Sequence, residues 1–206
     1  MSSNVSILKV EELSVAFGGV KAVNNVSFTV NRGEIFTLIG PNGAGKTTVF
    51  NLISRIYNAS HGRLVFDGAD ITAFPAHRIA TLGIARTFQN IELFEQATVL
   101  QNLLIGRHVH RATSLWQELL FTPKVKKSEI EFRDHVERII DLLDLQHHRD
   151  THVVGLPYGV RKVVELCRAL AIQPKLLLMD EPSSGLNVEE TDDMAFWIQD
   201  IKNELG

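Results

Sequence analysis

Cysteine is nearly absent: the 206 residues hold one, Cys167. No disulfide can form within the chain, so it lacks the staple that small secreted domains depend on, and a reducing compartment fits. Cys167 falls in an apolar helical pattern, the setting of a buried thiol rather than a reactive one. Long apolar runs are missing too; none approaches the roughly 20 residues that span a bilayer. Residues 1–12 carry charges without the apolar centre of a signal peptide. Any membrane link is therefore expected to pass through a partner. Neither sign of charge dominates: 21 Lys and Arg face 24 Asp and Glu, a net −3, so nucleic acid is not the expected partner. There is no internal repeat, low-complexity tract or flexible linker. The remaining profile, 45% hydrophobic and 22% charged, is that of a soluble globular chain long enough for one domain, with room for an inserted lobe.

The strongest feature is Gly40-Pro41-Asn42-Gly43-Ala44-Gly45-Lys46-Thr47-Thr48. An apolar run, Ile35-Phe36-Thr37-Leu38-Ile39, precedes it, and a helical pattern, Val49-Phe50-Asn51-Leu52-Ile53, follows. Strand, glycine-rich turn and helix are the context that the phosphate-loop pattern G-x-x-x-x-G-K-[ST] requires. Glycines let the backbone curl so that successive N–H groups point at an anion, and the next helix adds its unpaired N–H groups and positive dipole end. Lys46 is placed to reach the β- and γ-phosphates of a nucleoside triphosphate, and the Thr47 hydroxyl to ligate Mg²⁺.

Around this loop the pattern alternates strands and helices. Residues 7–17 and 20–30 read as strands joined at Gly18-Gly19, 62–66 as a short strand ending in a turn, and 84–88 as another. Pro75 opens a short helix that Gly83 closes. From Thr98 to about Val154 the pattern is helical: Thr98 caps one helix, and Ser128 with Glu131 has the capping-box pattern of another. A helix over 156–172 follows, entered through Pro157-Tyr158-Gly159. Lys175 to Met179 is a short apolar run closed by Asp180-Glu181-Pro182, and Pro182 makes it a buried strand rather than a helix. The last helix starts near Asn187, and Gly206 stands where a terminating glycine would. The expected architecture is an α/β nucleotide-binding core with an N-terminal antiparallel β subdomain, a parallel sheet and a helical insertion at about 98–155, all in one domain over 1–206.

In a parallel sheet, ligands bind where the strands end. Asp180 would thus lie beside the phosphate loop to hold Mg²⁺, directly or through water, and Glu181 would polarise a water against the γ-phosphate. His147, His148 and His152 lack the companions of a metal site, and His108 and His110 read as surface residues. Met194 and Trp197 read as core packing. Arg161 and Lys162 either favour phosphate or are simply solvated.

The set formed by residues 40–48, Gln89 after a strand, Leu156-Pro157-Tyr158-Gly159 before a helix, and 176–181 resembles the ATP-binding-cassette ATPases over nearly the whole chain. More narrowly, Arg86-Thr87-Phe88-Gln89-Asn90-Ile91-Glu92-Leu93-Phe94, residues 98–108, and Ser184-Gly185-Leu186-Asn187 resemble the ATP-binding subunit of branched-chain amino-acid importers. The resemblance implies an ATPase that powers an importer, with ATP and Mg²⁺ as its cofactors. Two such subunits sandwich two ATP molecules at the cytoplasmic face of the membrane. They are held there by permease subunits that a separate solute-binding protein serves. It also implies roles for single residues. Gly40, Pro41, Asn42, Gly43, Ala44, Gly45, Lys46, Thr47 and Thr48 cradle the phosphates, and Thr47, Gln89 and Asp180 hold the metal. Glu181 is the general base, Gln89 couples hydrolysis to the permease, and residues 184–187 cross between the subunits. Phe17 matches the aromatic position that stacks on adenine; its other reading is a core aromatic.

Two departures stand out. Where such ATPases have Leu-Ser-Gly-Gly-Gln, this chain has Leu156-Pro157-Tyr158-Gly159-Val160, and Pro157 offers neither a hydroxyl nor an N–H. A weakened signature side is therefore expected, which keeps open a second reading as a catalytically weak partner in a heterodimer. A third is a cassette ATPase for another cargo, such as lipopolysaccharide export. In addition, such ATPases continue past the last helix into another strand and a γ-phosphate-contacting histidine, and the sequence ends before either. A longer protein is therefore expected, with low activity for these 206 residues alone.

Overall fold

The structure is a computed structural model that describes residues 5–110 and 122–205. The chain divides into two compact units, Met1–Ile84 with Ala195–Gly206, and Ala85–Met194.

The first unit is built on a long hairpin. Strands β1 (Ser6–Phe17) and β2 (Val20–Asn31) pair antiparallel, with Phe17 opposite Val20 across the Gly18-Gly19 turn. β3 (His61–Phe66) and β4 (Ala69–Asp70) extend the sheet in the order β2-β1-β3-β4. Alternation along β1 sends Leu8, Val10, Leu13 and Val15 inward, and they are almost wholly buried. Register shifts bend β1 near Glu12, whose φ is 50°. Ser side chains cover the amides freed there: Glu12 N–H donates to Ser27 Oγ and Asn25 N–H to Ser14 Oγ, each at 2.8 Å. Helix α1 (Lys46–Ile53) buries Val49, Leu52 and Ile53. Between Pro75 and Gly83 the backbone makes two short 3₁₀ turns, ended by Gly83 at φ 96°.

Residues 35–39 depart from expectation. The apolar run reads as a strand, yet no ladder reaches it, and Ile35, Phe36 and Ile39 are exposed. A strand is defined by its neighbours' hydrogen bonds, which an apolar run does not itself supply. Phe36 instead stacks on Phe28 of β2, ring centroids 5.0 Å apart.

The second unit holds the strand pair β5 (Ile84–Arg86, all but its first residue) and β6 (Leu176–Leu178), and helices α2 (Val99–Gly106), α3 (Pro123–Leu142) and α4 (Tyr158–Leu170). Helix α5 (Val188–Leu205) starts here and runs into the residues of the first unit. Thr98 caps α2 through a full capping box with Gln101. The Ser128–Glu131 box does not form. Pro123 occupies the first turn of α3, which suits a residue without an N–H, and the helix runs through Ser128. Asn187 and Glu190 form the reciprocal box that opens α5 instead. Gly206 and most of the weakly patterned stretch at 111–127 lie outside the described residues. Met194 is buried, whereas Trp197 is only half-buried. The fold is α/β, an antiparallel β subdomain with a parallel sheet. The C-terminal ends of β5 and β6 lie together, because Thr87 N–H donates to Leu178 O at 2.9 Å and so continues their ladder.

Candidate active site

In the first unit, the loop enters α1 through Gly45, at φ 90° and ψ 10°. A Cβ there would lie 2.5 Å from the carbonyl oxygen of Ala22, so only glycine lets the loop press against β2. Ala44 N–H donates to Pro41 O at 3.1 Å, which closes the turn. No side chain caps α1, and its first turn has no acidic residue. Its leading N–H groups and positive dipole end are thus presented where an anion would sit. Lys46 Nζ folds back over the loop, donating to Gly40 O at 2.8 Å and Pro41 O at 3.1 Å. A left-handed turn, an uncapped helix and a lysine within the ring fit a phosphate chain. Phe17 is 44% exposed and meets Tyr57 edge-on at 5.0 Å; it is not a core aromatic.

In the second unit, the β5–β6 ladder delivers Gln89 to Glu181: Gln89 Nε2 donates to Glu181 Oε2 at 3.1 Å. Glu181 sits at φ 51°, a left-handed conformation that costs a residue with a Cβ about 1–3 kcal/mol. Asp180 is 2% exposed, and its Oδ2 accepts from Arg86 Nη2 at 3.1 Å. That pairing offsets part of the cost of burying Asp180. Carboxylate, amide and hydroxyl oxygens are the donors Mg²⁺ takes. Asp180 and Gln89 carry a carboxylate and an amide oxygen in the second unit, and Thr47, exposed in the first unit, carries a hydroxyl. No cluster of three or more His, Cys, Asp or Glu among the described residues could hold a metal alone.

The residues at the start of α4 and those before α5 form one piece. Pro157 takes the N-cap position of α4 and gives no side-chain cap. Tyr158 OH donates to Ser184 O at 3.4 Å, and its ring covers Gly185, whose φ is 80°. Gly159 packs so closely on Glu190 that a Cβ would come within 2.2 Å of the carboxylate. Arg161 and Lys162 are not simply solvated. Arg161 Nε donates to Leu156 O at 2.9 Å, while Lys162 is buried with Nζ 3.4 Å from Glu181 O.

The ABC transporter family model matches residues 23–184. The chain belongs to the ABC transporter family. A high-affinity branched-chain amino acid transport ATP-binding protein, BraF of Pseudomonas aeruginosa, is 38% identical over 198 residues, covering 96% of this chain and 78% of its own. LivG of Escherichia coli, of the same description, is 37% identical over 197 residues, covering 96% and 77%. Among solved structures, an ATP-binding cassette of an ABC transporter in its ADP conformation superposes with a TM-score of 0.83 at 35% identity, covering 97% of this chain and 78% of that one. A nucleotide-free cassette gives 0.82 at 34%, with the same coverage.

Several side chains that hold the Gln89 loop were not singled out by the sequence reading. Glu165, 2% exposed on α4, accepts the Phe88 N–H at 3.1 Å. Burial pushes its carboxyl pKa up, and the Phe88 N–H is the foremost of the influences pulling it back. Arg168 Nη1 donates to Glu92 O. Asn102, fully buried on α2, donates to Phe94 O and Thr98 O, each at 3.0 Å, and accepts from Phe94 N–H at 2.9 Å. The loop carrying Gln89 is thus held along its length. The signal was present in the sequence: Glu165 is a charge at an apolar helical position, between Val164 and Leu166.

Proposed function

We propose that this chain is the ATP-hydrolysing subunit of an ABC transporter for branched-chain or related amino acids. It would work at the cytoplasmic face of the membrane beside permease subunits and a second ATPase subunit. The relatives at 37–38% identity over 96% of the chain are named for that transport. The observation that carries the catalytic part is the Gln89–Glu181 hydrogen bond at the end of the β5–β6 pair, beside the buried Asp180. No helix among the described residues is long and apolar enough to cross a membrane, so the permease would provide the path.

In this reading the amides of residues 40–48 and Lys46 hold the phosphates, and Phe17 offers its exposed ring to adenine. Thr47, Gln89 and Asp180 are the metal's protein ligands. When bound, Mg²⁺ neutralises charge on the phosphate oxygens. Glu181 takes the proton of the attacking water, and the amide of Gln89, hydrogen-bonded to that carboxylate, sets its direction. Leu156, Pro157, Tyr158 and Gly159 close over the nucleotide of the opposite subunit, presenting the helix dipole rather than a serine hydroxyl. Residues 98–155 form the helical subdomain, and the loop at 89–94 receives the permease. A solute-binding protein delivers the cargo from the other side.

Pro157 at the N-cap supports a second reading, in which the chain binds ATP well and contributes a weak signature to a partner's site. Measuring ATP binding and phosphate release separately, alone and with the partner ATPase, distinguishes the two. Binding with turnover that appears only beside a second, different ATPase subunit supports the second reading. Turnover by the chain with its permease alone supports the first.

A further inference from the structure

Helix α4 carries charge on a face where apolar side chains would pack more cheaply. Lys162 is 4% exposed and Glu165 2%, and Arg168 follows three residues on, half-buried. Buried charge is retained at a cost in stability unless it satisfies particular partners. Here the partners are backbone groups of the two catalytic segments. Lys162 Nζ faces Glu181 O at 3.4 Å. Glu165 Oε1 accepts Phe88 N–H at 3.1 Å, and the Glu92 N–H is a second donor toward the same carboxylate. Arg168 donates to Glu92 O. Gln89 therefore lies on a loop whose two ends, Phe88 and Glu92, are tied to one helix. That helix also touches the backbone of the residue Gln89 bonds. A small cavity with room for about one water lies between Thr87, Phe88, Lys162, Glu165, Met179 and Pro182.

We propose that Glu165, with Lys162 and Arg168 on either side, is a positioning residue that locks the Gln89 loop and Glu181 to α4. Hydrolysis in one subunit and the reach of the 156–159 turn toward the other thereby depend on a single rigid element. Glu165 lies seven residues from Tyr158, about 10 Å along the helix. A displacement of the 88–94 loop by the permease is then carried through Glu165 to the end of α4. This rests on the catalytic reading of Gln89 and Glu181 above.

The test uses the protein assembled with its permease in nanodiscs. Glu165→Gln keeps one carbonyl acceptor and preserves the fold. It should lower kcat about tenfold, since small misplacements of catalytic groups cost that or more. KM for ATP and binding of a fluorescent ATP analogue should stay within about twofold, because the phosphate loop is untouched. Arg168→Ala should act in the same direction. In a Gln89→Ala background, Glu165→Gln should cause no further loss, because both act through one group. Wild-type kcat in both Glu165→Gln and Arg168→Ala, or losses that multiply in the double variant, would overturn the proposal. Glu181→Gln run alongside separates the two levels: if it turns over normally, the catalytic reading fails; if it is inactive while Glu165→Gln and Arg168→Ala both keep wild-type kcat, only the positioning role fails.

Discussion

Gly45 carries two constraints at once. Its φ of 90° disfavours any side chain, and a Cβ would strike the Ala22 carbonyl at 2.5 Å. Gly45→Ala should destabilise the protein by about 2 kcal/mol or more, read as a lower urea midpoint, and should also weaken ATP binding. Lys46→Ala should leave the midpoint nearly unchanged, since Lys46 Nζ bonds only loop carbonyls, yet lower ATP affinity at least tenfold in a fluorescent-nucleotide titration. Pro157→Ser adds a hydroxyl at the N-cap of α4, where serine is a favoured cap. It should raise turnover if the missing hydroxyl limits the signature side; unchanged kcat would show that Pro157 carries no functional weight. Glycine and lysine in fixed spacing were legible from the sequence because their chemistry is local. The roles of Glu165 and Arg86 were not, because the value of a buried charge depends on a backbone donor 77 residues away in the one case and a carboxylate 94 away in the other.

The elements show the same division. The β1–β2 hairpin, the Thr98 cap, α4 and the Asn187 cap follow from short-range pattern and appear as expected. Residues 35–39 and Ser128 do not. A strand needs a ladder that apolarity alone cannot provide, and Pro123 started α3 earlier than the Ser-x-x-Glu pattern implied. Helix α3 carries a further consequence. His135 is pushed down to about 4 by burial and then by the positive charges of Arg107, Arg138 and His110. Its neutral form is the one the fold accepts. The contribution is therefore fully present above the unfolded value of 6.5 and is lost as pH falls toward the folded value of about 4. Thermal melts from pH 7 to pH 5 should show wild type losing Tm relative to His135→Gln. A gap that stays constant with pH would contradict this. Nearby, Arg107 Nη1 donates to Ala171 O at 3.0 Å and Gln173 Oε1 at 2.8 Å, placing positive charge at the negative end of α4.

The two compact units divide the chemistry: the phosphate loop and Phe17 belong to one, and Asp180, Glu181, Gln89 and the 156–159 turn to the other. The family is shown by a match over residues 23–184, and the amino-acid cargo rests on the names of relatives rather than on any side chain described. In the proposed reading separate subunits choose the solute, which would then leave no trace in this chain, so the sequence speaks to the reaction more closely than to the cargo. The central claim is ATP hydrolysis with Glu181 as general base. It is tested most directly by phosphate release from Mg·ATP, comparing wild type and Glu181→Gln in complex with the permease. A general base is worth about 10²–10⁴ in rate. Glu181→Gln should therefore lose at least a hundredfold in kcat while still binding ATP and accumulating ATP-bound dimers. Phosphate release at the wild-type rate by Glu181→Gln would contradict it.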